Sequence, residues 1–419
     1  MKKNVIIIGG GFAGIQLARH LDKSLFDVTL IDKINHHQFQ PLFYQVATSQ
    51  IEPSSISFPL RHIFKGASGV TLRLAEVTEI KPEHQQITTT IGDFSYDYLV
   101  LANGCRTNFF GNTSLESHVY PLKSTYDAIQ IRNHILEVFE KSLSVDEEHR
   151  KALMNLVIVG AGPTGVELAG AFAEIKKEIL PKDYPGINFS DFAIYLVEGS
   201  AHTLNAMSEQ AKLASAHYLQ KMGVSLVTNT FVKDYDGDVL TLSNGQTLPT
   251  KTVIWAAGVT GNRIRGLDSA TWTPTDRIMV DRFNAVQGMN AIYAIGDIAC
   301  MLTPKYPRGH PQLANVAINQ AKLLAKNLKR ERRQLPRIDY EYKDLGSMAT
   351  IGRNKAVVDL PFLHFKGYAA WLVWMFLHLM LILSVRNKLI IFINWAWAYI
   401  TRNSSLRLIL RSSDARHHE

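Results

Sequence analysis

Cysteine is almost missing from this chain: Cys105 and Cys300 are the only two in 419 residues, and no C-x-x-C spacing occurs. That excludes a disulfide-stapled scaffold, argues against dithiol redox chemistry and fits a reducing compartment. No leader is expected either. An apolar run follows Met1, Lys2 and Lys3 directly, which leaves no room for a signal peptide. Metal-ligand spacing is also wanting. His36 and His37 sit in a polar loop with no cysteine or carboxylate placed to complete a site, so no metal is expected. Nor is there a long hydrophobic run. The most apolar stretch, residues 369–385, has seventeen residues with only His378 and Ser384 polar, at the lower limit for a membrane-spanning helix; residues 389–400 make a run of twelve, below that limit.

What the chain does have is patterned glycine. Residues 4–32 hold an apolar run, Gly9, Gly11 and Gly14, an amphipathic helical stretch, a second apolar run and Asp32. A strand that turns into a helix through such glycines aims backbone N–H groups and the positive helix end at one spot, where a pyrophosphate fits. Gly9 permits the tight turn, Gly11 lets phosphates approach the backbone, and Gly14 brings helix and strand together. Asp32, eighteen residues past Gly14, ends the next strand, where a carboxylate accepts hydrogen bonds from a ribose.

The pattern returns at an offset of 151 residues: Gly160, Gly162 and Gly165 match Gly9, Gly11 and Gly14, while Leu168 and Ala169 match Leu17 and Ala18. Two copies, each in its own strand-helix-strand context, are far more specific than one, and two bound dinucleotides are expected. Glu198 closes the second copy, 33 residues past Gly165, because a polar insert lengthens the connection. A carboxylate there pairs with a free 2′-hydroxyl and repels a 2′-phosphate, and Gly199, Ser200 and Ala201 offer no cation, so NADH is preferred over its phosphorylated form.

Between and after the copies, helices are expected over residues 124–144 and from an N-cap at Ser208 to Met222, with hairpin turns at Asp236-Gly237 and Asn244-Gly245. Strands are expected over 70–74 and 94–102. Small residues close two strands, at Ala102-Asn103-Gly104 and Ala256-Ala257-Gly258, and such turns let backbone pack against a flat ligand. A further strand ends in Gly296-Asp297. Two-dinucleotide flavoproteins place an aspartate of this kind on the ribityl chain of FAD, which assigns the first site to FAD and the second to NADH.

These segments together resemble the type II NADH:quinone oxidoreductases, single-subunit NADH dehydrogenases that do not pump protons. The resemblance covers essentially the whole chain and is carried by DKINHHQFQPLFYQVAT, GPTGVELAGAFAE, YAIGD and a tail with WLVWMFLHLMLI, RNK and NWAWAYITR. It implies an α/β fold of two Rossmann-like dinucleotide-binding domains, a two-dinucleotide-binding flavoprotein, plus a C-terminal membrane-associating helical region. The expected division is an FAD domain from residues 1–118 and 267–335, an NADH domain at 119–266, and a membrane-anchoring region at 336–419. The resemblance also implies contacts to FAD from Gly9, Gly10, Gly11, Phe12, Ala13, Gly14, Asp32, Lys33, Gln45, Val77, Ala102, Asn103, Gly104, Gly296, Asp297 and Ala314. NADH would meet Gly160, Gly162, Pro163, Thr164, Gly165, Glu198, Ala257 and Gly258, and a membrane quinone would meet Gln312, Asn315, Asn319 and Gln320. Glu167 is the implied catalytic residue, for nicotinamide placement or for proton delivery to the quinone. Hydride would pass from nicotinamide to flavin and two electrons from flavin to quinone. The chain departs from the family at Asn315, where a Gln is usual, and at Asn103, where a Thr is usual; both keep hydrogen-bonding capacity.

The tail decides where such an enzyme works. Net charge is +8, and from residue 361 onward seven Lys/Arg (Lys366, Arg386, Lys388, Arg402, Arg407, Arg411, Arg416) stand against Asp414 and Glu419, so seven minus two puts +5 of that excess beside the most apolar segment. This favours an anionic lipid surface over nucleic acid. A transmembrane hairpin would put Arg386 and Lys388 on the far side from the other cations, against the positive-inside tendency. A surface-lying pair of helices is therefore expected, sinking Trp371, Trp374, Phe376, Trp395 and Trp397 into the interface at the cytoplasmic face of the inner (plasma) membrane. A homodimer built on the same helices stays open. So do three other readings: a sulfide:quinone oxidoreductase, which needs a cysteine pair by the flavin, a reductase of a soluble redox protein, which would lack the tail, and a flavin-bearing redox sensor.

Overall fold

The computed structural model describes residues 1–402 and 406–410. Arg411, Asp414, Arg416 and Glu419 of the basic tail lie outside the described residues. The chain forms two compact units, one from Met1–Gln38, Phe58–Arg106 and Val259–Lys343, the other from Phe39–Ser57, Thr107–Gly258 and Asp344–Glu419. The loop 39–57 and the C-terminal region thus both belong to the second unit.

The first unit is built on a five-stranded parallel sheet. Lys3–Ile8 lies between Phe26–Asp32 and Tyr98–Leu101, with Val70–Leu74 and Ile292–Ala294 outside them. A parallel sheet is covered on both faces, so its strands read as continuous apolar runs rather than alternating ones. Val5, Ile6, Ile7, Leu99 and Val100 are accordingly all buried. The helices Phe12–His20 and Ala314–Arg332 pack on one another. The strand expected over 94–102 is broken: Gly92–Ser95 belongs to an antiparallel meander and Tyr98–Leu101 to the parallel sheet. Asp97 makes the break, because its carboxylate accepts from the Asn4 amide at 2.7 Å and the Lys3 ammonium at 2.7 Å.

The second unit repeats the plan. Asn155–Val159 lies between Ala193–Val197 and Thr252–Trp255, with Val224–Val227 and Tyr120–Pro121 outside, all parallel. The helix Thr125–Ser142 opens with a capping box of Ser124 and Asp127, and Glu209–Lys221 is capped by the Ser208 hydroxyl, which accepts from the Ala211 amide. Gly223, at φ +84°, ends that helix. The expected turns at Asp236-Gly237 and Asn244-Gly245 join an antiparallel three-stranded sheet. A second meander, Ser347–Gly352, Lys355–Leu360 and Leu363–Lys366, carries the chain to two terminal helices, Tyr368–Leu381 and Val385–Thr401.

These helices differ from the sequence expectation. The first stops at Leu381, and Arg386-Asn387-Lys388 forms the first turn of the second instead of a linker. Asn387 explains the change: it is buried, and its amide donates to the carbonyls of Ser54 and Ser55 at 3.1 and 3.0 Å. No helix among the described residues is long and apolar enough to cross a membrane.

Candidate active site

Each parallel sheet ends in a glycine cradle whose geometry follows from what a side chain would meet there. A Cβ on Gly9 would lie 2.4 Å from the Ala102 carbonyl oxygen, and on Gly14 1.9 Å from the Gly9 oxygen. The second copy repeats both clashes: 2.6 Å from Ala256 O at Gly160 and 1.8 Å from Gly160 O at Gly165. Gly9 and Gly160 also adopt φ +106° and +99°, a region that side chains resist. Gly11 and Gly162 behave differently. A Cβ on either meets no protein atom within 4 Å, so both face open space at the start of their helices, where a phosphate would sit. Pro163 and Thr164 are exposed beside Gly162, and Pro163 suits the first helical turn because its missing N–H has no partner to lose.

The acids are matched as closely. Asp32 accepts from the Gly10 amide with Oδ2 at 2.5 Å and from the Ile34 amide with Oδ1 at 2.9 Å. Glu198 accepts from the Ala161 amide with Oε2 at 2.6 Å and from the Ser200 amide with Oε1 at 2.8 Å. In both copies one carboxylate ties the glycine turn to the amide two residues beyond itself. Burial pushes the Asp32 carboxyl up, against the two amides that favour its charged form.

The rest of the first cradle holds polar atoms that lack protein partners. Asn103 and Asn262 exchange side-chain amide to backbone carbonyl bonds at 2.6 and 2.7 Å, yet Asn103 Oδ1 is buried without a partner, and so are Asn315 Oδ1 and His37 Nε2. Buried polar groups are normally satisfied, so the orphaned Asn103 Oδ1, at the turn that Gly9 packs against, is what a polar cofactor would complete. Gly296, at φ +74°, packs against Ala13 and Ala317, and Asp297 accepts from the Cys105 thiol at 3.2 Å. Of the residues expected at the quinone, Gln320 is buried with Oε1 accepting from the Gly296 amide at 2.7 Å, and Gln312 donates to the Asp297 carbonyl at 3.1 Å. Asn319 is exposed. Lys33 is exposed 4.0 Å from Glu76, Val77 opens its strand half-buried, and Ala314 opens its helix. Ala257 and Gly258 close the strand Thr252–Trp255, Gly258 at φ +125°.

Glu167 lies in the second unit, on the helix Pro163–Glu178. Gly170, one turn later, sits so close to the strand Ser347–Gly352 that a Cβ would lie 2.1 Å from the Ile351 oxygen. That approach lets Glu167 Oε1 accept from the Thr350 amide at 3.3 Å and from the indole N–H of Trp374 at 3.1 Å. Burial lifts the Glu167 carboxyl from its ordinary 4.5 to about 8, because two donors on one oxygen do not offset the loss of water. A cavity of about 740 Å³ opens beside it, lined by Tyr44, Gln45, Trp371, Trp374 and Trp395 among others. Gln45 donates to the Tyr44 hydroxyl at 2.9 Å and accepts from the Trp395 indole at 2.8 Å. Sequence reasoning missed this chamber. Trp374 and Trp395, expected in a lipid interface, are 1% and 9% exposed and donate inward, whereas Phe376 and Trp397 are exposed. The only available signal was helical spacing, which puts Trp371, Trp374 and His378 on one face of their helix.

Comparison with known proteins decides the family. The pyridine nucleotide-disulphide oxidoreductase family model matches residues 3–321, and that of the NDH2 C-terminal domain matches 345–403. The chain is 31% identical to the type II NADH:quinone oxidoreductase Ndh of Mycobacterium tuberculosis, over 99% of this chain and 92% of that one. It belongs to the type II NADH:quinone oxidoreductases. A second M. tuberculosis member, NdhA, is 32% identical over 96% of this chain and 88% of its own length. In fold, the chain resembles NDH2 from Plasmodium falciparum, solved in complex with NADH, with a TM-score of 0.89 at 21% identity over 98% of this chain and 100% of that one. It also resembles the sulfide:quinone oxidoreductase of Aquifex aeolicus, with a TM-score of 0.71 at 19% identity over 96% of both chains. As a type II NADH:quinone oxidoreductase the protein binds FAD and NAD(H) and carries electrons from NADH through the flavin toward quinone at a membrane surface.

Proposed function

We propose that quinone is reduced in the cavity beside Glu167, and that Glu167 delivers a proton to it. FAD, when bound, supplies the two-electron relay between NADH and quinone, and the protein contributes binding, orientation and protons. The hydride that NADH gives up carries two electrons and one proton, so completing a quinol takes one further proton, which Glu167 would supply and recover from solvent. Glu167 lines the cavity, and burial lifts its carboxyl to about 8, in the range where a general acid works best; Glu174, which also lines it, is raised by burial as well. Gln45 and the Trp374 and Trp395 rings supply amide and aromatic surface for a flat head group.

In this reading FAD rests on the first cradle, through Gly9–Gly14, Asp32, Asn103, Gly296 and Asp297, and NADH on the second, through Gly160–Gly165, Glu198, Ala257 and Gly258. Gln312, Asn315, Asn319 and Gln320 of the first unit are the further residues that would contact the quinone. The exposed apolar side chains of the terminal helices, including Phe376, Phe392, Ile393, Trp397 and Ile400, rest on the cytoplasmic face of an anionic membrane. A second copy covering that face is the competing arrangement.

The observation that carries the proposal is that Glu167 is buried at the cavity, where the loss of water lifts its carboxyl to about 8. Stopped-flow measurement of the two half-reactions in Glu167→Gln tests it. Flavin reduction by NADH should keep its rate, while reoxidation by quinone should slow by about 100-fold or more, the usual worth of a general acid. Slowing of the NADH step instead would return Glu167 to nicotinamide placement.

A further inference from the structure

On the helix Pro163–Glu178, three carboxyls fall at i, i+7 and i+11: Glu167, Glu174 and Glu178. That spacing keeps them on one helix face, and all three line the cavity of about 740 Å³. They are graded in exposure. Glu167 is 8% exposed, Glu174 is half-buried, and the Glu178 side chain is 32% exposed and paired with Arg402 at 3.4 Å. The series therefore runs from the buried end of the cavity to its open end. Glu174 is seated by the neighbouring meander. Its Oε1 accepts from the Arg353 amide, and a Cβ on Gly352 would lie 2.7 Å from that oxygen, so the turn that holds it needs a glycine. Its Oε2 has no hydrogen-bond partner among the described residues and is not one of the enclosed polar atoms.

If Glu167 protonates quinone, the reading on which this rests, each turnover leaves it a carboxylate with little direct contact with bulk water. We infer that Glu174 is the relay that returns a proton from solvent to Glu167. Seven residues of helix separate the two by about 10 Å along the axis, too far for a direct hydrogen bond, so water in the cavity carries the proton between them. The O–H bond of Glu174 breaks, one forms on the Glu167 carboxylate, and Glu174 takes its own proton back from solvent; no electron moves. Burial pushes the Glu174 carboxyl up, against the Arg353 amide and the Lys355 and Arg353 charges, so it accepts a proton more readily than an exposed glutamate. The other charged groups on the cavity are Lys177, Glu178, Lys221 and Arg402.

Mixing the NADH-reduced, flavin-loaded protein with a water-soluble quinone in a stopped-flow instrument gives the rate of the first turnover, and steady-state assay gives the later ones, which depend on recharging Glu167. In Glu174→Gln the later turnovers should fall by about tenfold or more relative to the first. That gap should widen from pH 6 to pH 8 as free protons grow scarce, and millimolar formate or imidazole should close it, because a small acid replaces the missing carboxyl. A purely structural role would slow first and later turnovers together and ignore the added acid; either result, or no change at all, would overturn the relay. Should Glu174→Gln fail to fold, Glu174→Asp, with its shorter reach, takes its place: the same acids should raise its later turnovers, and no response rejects the relay. Glu167→Gln tells the two readings apart. If it reduces quinone in the first turnover at the ordinary rate, the role of Glu167 falls and the relay with it; if it is slow there while Glu174→Gln behaves normally throughout, only the relay falls.

Discussion

The indole N–H of Trp374 donates to Glu167 Oε1 across 3.1 Å, joining a terminal helix to the helix of the second glycine cradle. Trp374 also stacks on His378 at 4.1 Å between ring centroids, and burial holds that imidazole down to about 4, so it is neutral at physiological pH. The hydrogen bond favours the charged form of Glu167, and removing it should push the carboxyl further up. In Trp374→Phe we expect the high-pH limb of the quinone half-reaction to move upward by about one unit, with the NADH half-reaction unmoved. A profile that keeps its position would show that the indole only packs.

Glu167 should also leave a mark on stability. Its folded value near 8 lies above the ordinary 4.5, so between these values the unfolded chain releases a proton that the folded chain retains. Stability therefore falls as pH rises through this window, and the whole loss is present above about 8. In Glu167→Gln the fall is removed, so its Tm relative to the unaltered protein should climb from pH 5 to pH 8. Parallel curves across that range would count against a buried, protonated Glu167.

The glycines separate folding from binding. Gly162→Ala puts a methyl into open space, so Tm should change little while KM for NADH rises by about tenfold or more, because the methyl occupies the phosphate position. Gly165→Ala drives a methyl into the Gly160 carbonyl and should lower the yield of folded protein. Equal kinetic effects from the two changes would remove the distinction.

We expect Glu198 to set the choice between NADH and NADPH. With its carboxylate held by the Ala161 and Ser200 amides, a 2′-phosphate meets a fixed negative charge. We expect kcat/KM for NADH to exceed that for NADPH by about 100-fold, and Glu198→Gln to narrow the ratio by about tenfold, as loss of one such repulsion implies. An unchanged ratio would place the selectivity elsewhere.

The membrane face can be tested apart from chemistry. Phe392 and Trp397 are 53% and 64% exposed on the last helix. Replacing both by Asp should weaken co-sedimentation with anionic vesicles by more than about tenfold, at roughly 1.5 to 3 kcal/mol per buried large side chain, while turnover with a water-soluble quinone stays the same. If vesicle binding persists and a dimer falls apart instead, the face is an interface between copies.

Local pattern carried much of this molecule. The two nucleotide cradles were readable because Gly9, Gly14, Gly160 and Gly165 answer to backbone contacts a few residues away or on the adjacent strand, and Asp32 and Glu198 reach back to amides of the same turns. The helix cap at Ser208 was legible for the same reason. Where the answer depended on side chains distant in sequence, reading failed. A tryptophan in an apolar run looks alike whether it faces lipid or protein, and only packing against Gln45 and Glu167, 350 and 207 residues away, turned Trp395 and Trp374 inward. Asn387 likewise entered a helix because of Ser54 and Ser55. The sequence by itself determined the duplicated nucleotide folds, since their constraints are local and steric. Tertiary structure alone decided the chamber beside Glu167 and the upward push on its carboxyl, because burial is a property of everything that surrounds a group.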